Sequence, residues 1–200
     1  MRVFSYRVVR DYGFAPNPFH GTCTLATCKP GIRGSAAVGD IVVGCGSSAT
    51  GLLGRVVYAM RVTGKCGFDE YWDDPRFREK RPFFGGSRSR AYGDNIYHRD
   101  GEGRWLQERS HHSHADGRIN EENLRQDTSK DNVLWSDDFA YFGREGPFIP
   151  EYLRAHSGRD LFPSGRGHRA YSAPEFTEAV GEWFVALPVR GYLGRPWHWK

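Results

Sequence analysis

Two short runs, IVVGCG at 41–46 and GRVVYAMRVTG at 54–64, constrain the fold more than any other part of the chain. Each is apolar and β-branched, each is bounded by glycine, and the turn-rich segment SSATGLL joins them. That pattern predicts two neighbouring strands. Residues 2–10 alternate in the same sense: Val3, Ser5, Arg7 and Val9 fall on one side, and Arg2, Phe4, Tyr6, Val8 and Arg10 on the other. We read them as a first strand. TCTLATC (22–28) and NVLWS (132–136) add two more strand candidates. FDEYWDDPRF reads as a helical turn ending near Pro75, and FIPEYLRAH as a helix candidate. SAPEFTEAVGEWFVAL reads as a helix with Pro174 in its first turn and Phe176, Val180 and Phe184 at helical spacing. With 25 Gly and 11 Pro in 200 residues, a helical bundle is excluded. The expected class is α+β: a small, curved, mostly antiparallel sheet with helices at its edges.

The chain reads as a single domain over 1–200. Residues 82–131 form a long polar insert, and 174–200 a C-terminal helix and a tail, RGYLGRPWHWK, aromatic enough to pack back. A connection as long as 82–131 is either functional or disordered. Tyr92, Ile96, Tyr97, Trp105 and Leu106 give it side chains to bury, so order is expected. No run approaches the ~18 apolar residues of a membrane span, and MRVFSYRVV alternates where a signal peptide has an apolar block. We expect a cytosolic protein whose four cysteines are reduced.

Net charge is +4 but uneven. The first hundred residues carry 15 Lys and Arg against 9 acids, and the second hundred 13 against 15. The excess gathers in RFREKRPFFGGSRSR (76–90), and arginine outnumbers lysine 23 to 5. Guanidinium groups suit bidentate contacts to phosphate. Lys29, Arg33, Arg78, Arg81, Arg88 and Arg90 are therefore the candidate phosphate ligands.

Three polar constellations carry candidate chemistry. FAPNPFHGTCTLATCKP (14–30) holds His20, Cys23 and Cys28. Cys23 and Cys28 are five apart, so they diverge on a strand and lie about 140° apart on a helix. A shared zinc needs a bend, and no second pair completes a four-ligand set, so no metal is expected. A nucleophilic Cys23 with His20 as base is the thiol alternative. The favoured reading is a stiffened loop that holds a nucleobase. Phe14 and Phe19 would stack, while Asn17 and His20 would meet its polar edge. By that reading, replacing Asn17 or Phe19 abolishes ligand binding and Cys23→Ser does not.

In YGDNIYH and SHHSHADG, Asp94, His98 and His111 are candidate acid–base groups and Asn95 and His112 candidate ligand contacts. His111, His112, His114 and Asp116 could meet a divalent ion in principle, but adjacent histidines on extended chain diverge. In SDDFAYFG, Asp137 is a candidate base and Asp138 a candidate acceptor for an exocyclic amine. No cofactor is expected. GCGSSATG follows a strand but lacks the helix that a phosphate-cradling loop requires.

The succession FAPNPFHGTCTLATCKPGIRGSAAVGDIVVG, RVVYAMRVT, FDEYWDDPRF, YGDNIYH, SHHS, DNVLWSDDFAYFGREGP and GRGHRAYS, over residues 2–172, resembles the nucleotide-modification-associated domain 2 family. The resemblance implies a bacterial or phage DNA-modification setting and carries no established mechanism. Separately, the VGDIVVG…GRVVYAMRV hairpin resembles the PUA-like superfamily, with its ASCH, EVE, YTH and SRA domains. That resemblance implies a curved barrel of five to six mostly antiparallel strands with peripheral helices and a pocket for a base. ASCH-type amidohydrolases use a lysine near a threonine and a glutamate. Lys29 is comparable, but no glutamate lies between it and Asp40.

Three functions follow as expectations. The first is a reader that binds a modified base or nucleotide in DNA. The second is an enzyme that installs, trims or removes a base modification with Asp and His groups. The third is an accessory subunit for partner proteins of a modification operon.

Overall fold

The computed structural model describes residues 1–165 and 167–199. Arg166 of GRGHRAYS and Lys200 of the C-terminal tail lie outside the described residues. In chain order the elements are β1 (Val3–Arg7), β2 (Cys23–Leu25), α1 (Pro30–Ser35), β3 (Ile41–Cys45), β4 (Val56–Arg61), β5 (Gly64–Cys66), α2 (Phe68–Asp73) and α3 (Arg88–Ala91). They continue with β6 (Tyr97–Arg99), β7 (Trp105–Gln107), α4 (Glu121–Thr128), β8 (Val133–Ser136), β9 (Asp138–Tyr141), β10 (His168–Tyr171), α5 (Pro174–Ala186) and β11 (Gly191–Tyr192). The chain is α+β and divides into two compact units.

The first unit comprises Met1–Tyr12, Ala36–Thr63 and Ser136–Lys200. Its six-stranded sheet runs in the order β10-β1-β3-β4-β9-β11. β3 pairs antiparallel with β4, as the two glycine-bounded runs predict. It also pairs parallel with β1, and a parallel pair demands a long crossover. One sheet face alternates Val3, Ile41, Val43, Cys45, Ala59 and Ala140 beneath α5, which contributes Phe176, Val180, Trp183 and Phe184. Each fully buried side chain of this kind contributes about 1.5–3 kcal/mol. The expected period of four along α5 is thus the seam of this core. FIPEYLRAH instead makes only a single 3-10 turn at Glu151–Leu153. The tail packs back: Asp11 accepts Trp197 N–H at 3.0 Å and the Tyr141 hydroxyl.

The barrel implied by the hairpin is not found. The strand order is open, with β10 and β11 at its ends, and no closed barrel occurs among the described residues. On the other sheet face the close approach of Tyr58 to Gly44 fixes the local packing. A Cβ on Gly44 would lie 2.3 Å from the Tyr58 ring and 2.9 Å from Val8. Tyr58 is fully buried and its hydroxyl bonds that of Tyr6 at 3.0 Å, so the ring cannot swing aside cheaply. Gly44→Ala is expected to cost about 1–3 kcal/mol by overpacking, read as a lower denaturation midpoint with an unchanged slope.

The second unit comprises Gly13–Ser35, between β1 and β3, and Gly64–Trp135, between β4 and β9. It holds the three-stranded sheet β2-β8-β5 and the β6–β7 hairpin. Residues 82–131 are ordered into α3, that hairpin and α4. Asn120 caps α4 by accepting Asn123 N–H at 3.1 Å. No helix among the described residues is long and apolar enough to cross a membrane.

Candidate functional site

TCTLATC is a strand only as far as Leu25. Beyond it, Cys28 and Lys29 take left-handed backbone angles, φ 57° and 43°, and turn the chain into α1 at Pro30. Non-glycine residues enter this region at an energetic cost, so surrounding contacts must hold them there. Those contacts are visible. Cys28 N–H donates to Asp127 Oδ1 at 2.7 Å, and Cys28 O accepts Arg33 Nε–H at 2.8 Å. Arg33 is fully buried and also donates to the carbonyls of Asp127, Lys130 and Asn132. A planar guanidinium with five donors can join four carbonyls in this way.

The bend separates the two cysteines. Cys23 is fully buried, and burial pushes its thiol up to about 12. Cys28 is partly exposed, with Sγ 3.8 Å from Nε2 of His112. His112 Nδ1 lies 2.8 Å from Asp127 Oδ2, which also accepts the Tyr97 hydroxyl at 2.9 Å. Asp127 is 2% exposed on α4. Burial alone would lower the pKa of His112, but the hydrogen bonds to Asp127 and Cys28 and their charges overturn it, raising it to about 9. The His112 carbonyl accepts Asn123 Nδ2–H at 2.8 Å, which fixes the ring's backbone.

Cys28, His112 and Asp127 offer three ligand atoms within 4.8 Å of one another, a spacing a metal ion could bridge. The imidazole, however, bonds Asp127 through one nitrogen and faces Cys28 with the other. The order is carboxylate, imidazole, thiol, in a chain.

A groove of about 520 Å³ opens in the same unit, lined by Phe84, Ala91, Tyr92, Arg109, Ser110, His111, Ser113, His114 and Ala115. Tyr92 meets the His111 ring edge-on at 5.4 Å between centroids. The Phe14 ring packs at 5.3 Å from His111 and 4.7 Å from His112, linking the groove wall to the thiol chain. Arg109 lies 5.0 Å over Phe84. Phe83 and Phe84 are 55% and 52% exposed.

The remaining candidates fall elsewhere. Asn17 is completely buried: its Nδ2–H donates to Tyr92 O at 2.9 Å, and its Oδ1 accepts Lys80 Nζ–H at 2.8 Å. Asp94 is likewise sealed inside, accepting Thr24 Oγ1–H at 2.6 Å and the Tyr71 hydroxyl at 2.8 Å. Burial lowers Lys80 to about 8, with Asp94 pulling it back up, and burial raises Asp94. Asn95 donates to Tyr71 O at 2.9 Å. Phe14 and Phe19 are buried, and His20 Nδ1 lies 3.1 Å from Glu79 Oε2, at hydrogen-bond distance. His20 and Cys23 thus serve different partners, and the loop is a framework of the unit's interior.

His98 stacks on Trp72 at 3.9 Å and bonds Glu108 at 3.1 Å. Among the candidate phosphate ligands, Arg33 is spent on carbonyls and Arg81 lies 3.7 Å over Trp72, donating to its carbonyl. Arg90 pairs with Glu79 at 3.2 Å, Arg78 and Arg88 are exposed, and Lys29 is half-buried. Asp137 and Asp138 belong to the first unit. There Asp137 is exposed, and Asp138 pairs with Arg61 at 3.3 Å and Arg190 at 2.9 Å. Asp127, Arg109 and Phe84 were not singled out by sequence. The strand–turn–helix pattern LATCKPG was the one local signal at Cys28.

The sequence profile of nucleotide modification associated domain 2 matches residues 1–200. The chain belongs to that family. No curated protein and no solved structure matches it. As a member of this family, its association with nucleotide modification covers both units.

Proposed function

We propose that the second unit binds a modified nucleotide within DNA, with the base in the groove that Tyr92 and His111 line. The observation that carries this reading is the groove itself, a nucleotide-sized space lined with aromatic, imidazole and guanidinium groups in a family associated with nucleotide modification. Ligand sites commonly occupy roughly 300–1,000 Å³. Base stacking on aromatic rings tolerates any base, while hydroxyls and ring nitrogens of the wall discriminate substituents. Exposed Phe83 and Phe84, with Arg109 over the Phe84 ring, suit a strand that carries phosphates past the groove.

Fluorescence anisotropy with short single-stranded oligodeoxynucleotides tests this. Binding should weaken steeply from about 50 to 200 mM salt as counterions re-enter. Tyr92→Ala should weaken it roughly tenfold or more, because stacking contributes about 1–3 kcal/mol per base. Arg109→Ala should flatten the salt slope by about one phosphate contact. No binding at low salt contradicts the reading. A second reading, an enzyme acting on the modification, is favoured by the Cys28–His112–Asp127 chain.

A further inference from the structure

We propose that Cys28 is a catalytic nucleophile for acyl transfer, cleaving an amide or ester carried by a modified base, with His112 as proton donor and acceptor and Asp127 as its positioning residue. The substrate's nucleotide part rests on the groove reading. The thiol chemistry stands apart from it.

Three observations converge. The hydrogen-bonded chain from Asp127 Oδ2 through both His112 nitrogens to Cys28 Sγ joins nucleophile, base and orienting group in the order such catalysis requires. Cys28 sits at a left-handed strand-to-helix reversal whose backbone Asp127 and Arg33 hold, and it is partly exposed. Burial pushes Cys23, Cys45 and Cys66 each up to about 12, which leaves them inert at neutral pH. Phe14 packs on the His112 ring and on His111 of the groove wall, so one buried ring separates the thiol chain from the groove.

The step balances without an oxidant or cofactor. As the Cys28 thiol proton passes to His112 Nε2, Sγ forms a bond to the carbonyl carbon, and Nε2–H then gives that proton to the departing amine or alcohol. The carbon–nitrogen or carbon–oxygen bond breaks and a thioester remains. Water then attacks that thioester, His112 Nε2 takes its proton, the carbon–sulfur bond breaks, and the acid leaves.

The experiment uses the full chain, p-nitrophenyl acetate and iodoacetamide, with intact-mass and peptide analysis. Wild type should release nitrophenolate in a burst of one equivalent and carry one acetyl group on Cys28, removed by neutral hydroxylamine. Iodoacetamide at neutral pH should label Cys28 well ahead of Cys66. Cys28→Ser should abolish the burst, and His112→Gln should slow it roughly 100-fold; Cys66→Ser should leave it unchanged. A burst that survives Cys28→Ser, an alkylation rate at Cys28 no faster than in the urea-unfolded chain, or loss of the burst in a metal chelator overturns the proposal. Oligonucleotide binding by Cys28→Ser is read in parallel. Its loss in wild type and variant alike indicts the groove reading, and its retention without a wild-type burst indicts the nucleophile.

Discussion

Arg33→Met is expected to lower stability by about 3–5 kcal/mol, enough to leave the second unit unfolded in a marginally stable chain. The side chain is isosteric enough to avoid a large cavity, so the loss isolates the polar contribution. The carbonyls of Cys28, Asp127, Lys130 and Asn132 lose the Arg33 donor, while that of Lys130 keeps Asn132 N–H at 2.8 Å. Each buried acceptor left unpaired costs about 1–3 kcal/mol. Arg33→Lys should recover little, because an ammonium is a point donor and cannot fork among separated acceptors. Arg88→Ala, at the exposed start of α3, should stay within about 0.5 kcal/mol of wild type. Urea denaturation of the three variants checks the ranking. A wild-type-like midpoint for Arg33→Met contradicts the clamp.

Asp127→Asn is expected to lower the His112 pKa from about 9, because burial lowers it and the Asp127 hydrogen bond is the largest single influence that raises it, ahead of those of Cys28. The sign follows by linkage. A folded pKa of about 9 against 6.5 unfolded gives stability that is fully present below pH 6.5 and lost as pH rises through 9. At about 1.36 kcal/mol per pKa unit, this amounts to about 3 kcal/mol. Lys80 acts in the opposite sense. Its folded pKa of about 8 against 10.5 penalises the charged form below pH 8, and that penalty fades by pH 10.5. A bulk stability curve mixes the two, so the imidazole is best followed alone, by NMR titration of its ring protons. A His112 pKa still near 9 in Asp127→Asn contradicts the assignment.

The sheet of the first unit was legible because its evidence is local. Ile41–Cys45 and Val56–Arg61 are apolar and glycine-bounded, and Phe176, Val180 and Phe184 repeat at the helical period. Closure into a barrel is a non-local property, and the same hairpin pairs into an open sheet. The interior of the second unit was misread for a related reason. Asn17, Asp94 and Asn95 are polar residue types that usually stay exposed, yet here they bury by pairing with one another's neighbours.

The joining of Cys28, His112 and Asp127 into one chain was not legible. Cys28 meets His112 across 84 residues and Asp127 across 99, and no local pattern encodes either contact. Asp127 in NLRQDTS looks like one more charge on a helix. The divergence argument did hold in one respect: Cys23 and Cys28 part company at the bend, and Cys28 finds a different histidine. Arg33 illustrates the converse, since a basic residue taken for a phosphate ligand is the internal clamp on Cys28 and Asp127.

Photocrosslinking tests the nucleotide reading most directly. A single-stranded oligodeoxynucleotide carrying one 5-iodouracil is irradiated with the protein, and the adduct is mapped by peptide mass spectrometry. The account predicts crosslinks at Tyr92, His111 or Phe84, the aromatic walls of the groove, and their loss when unlabelled oligonucleotide competes. Competable adducts confined to the first unit, or none above background, would contradict it.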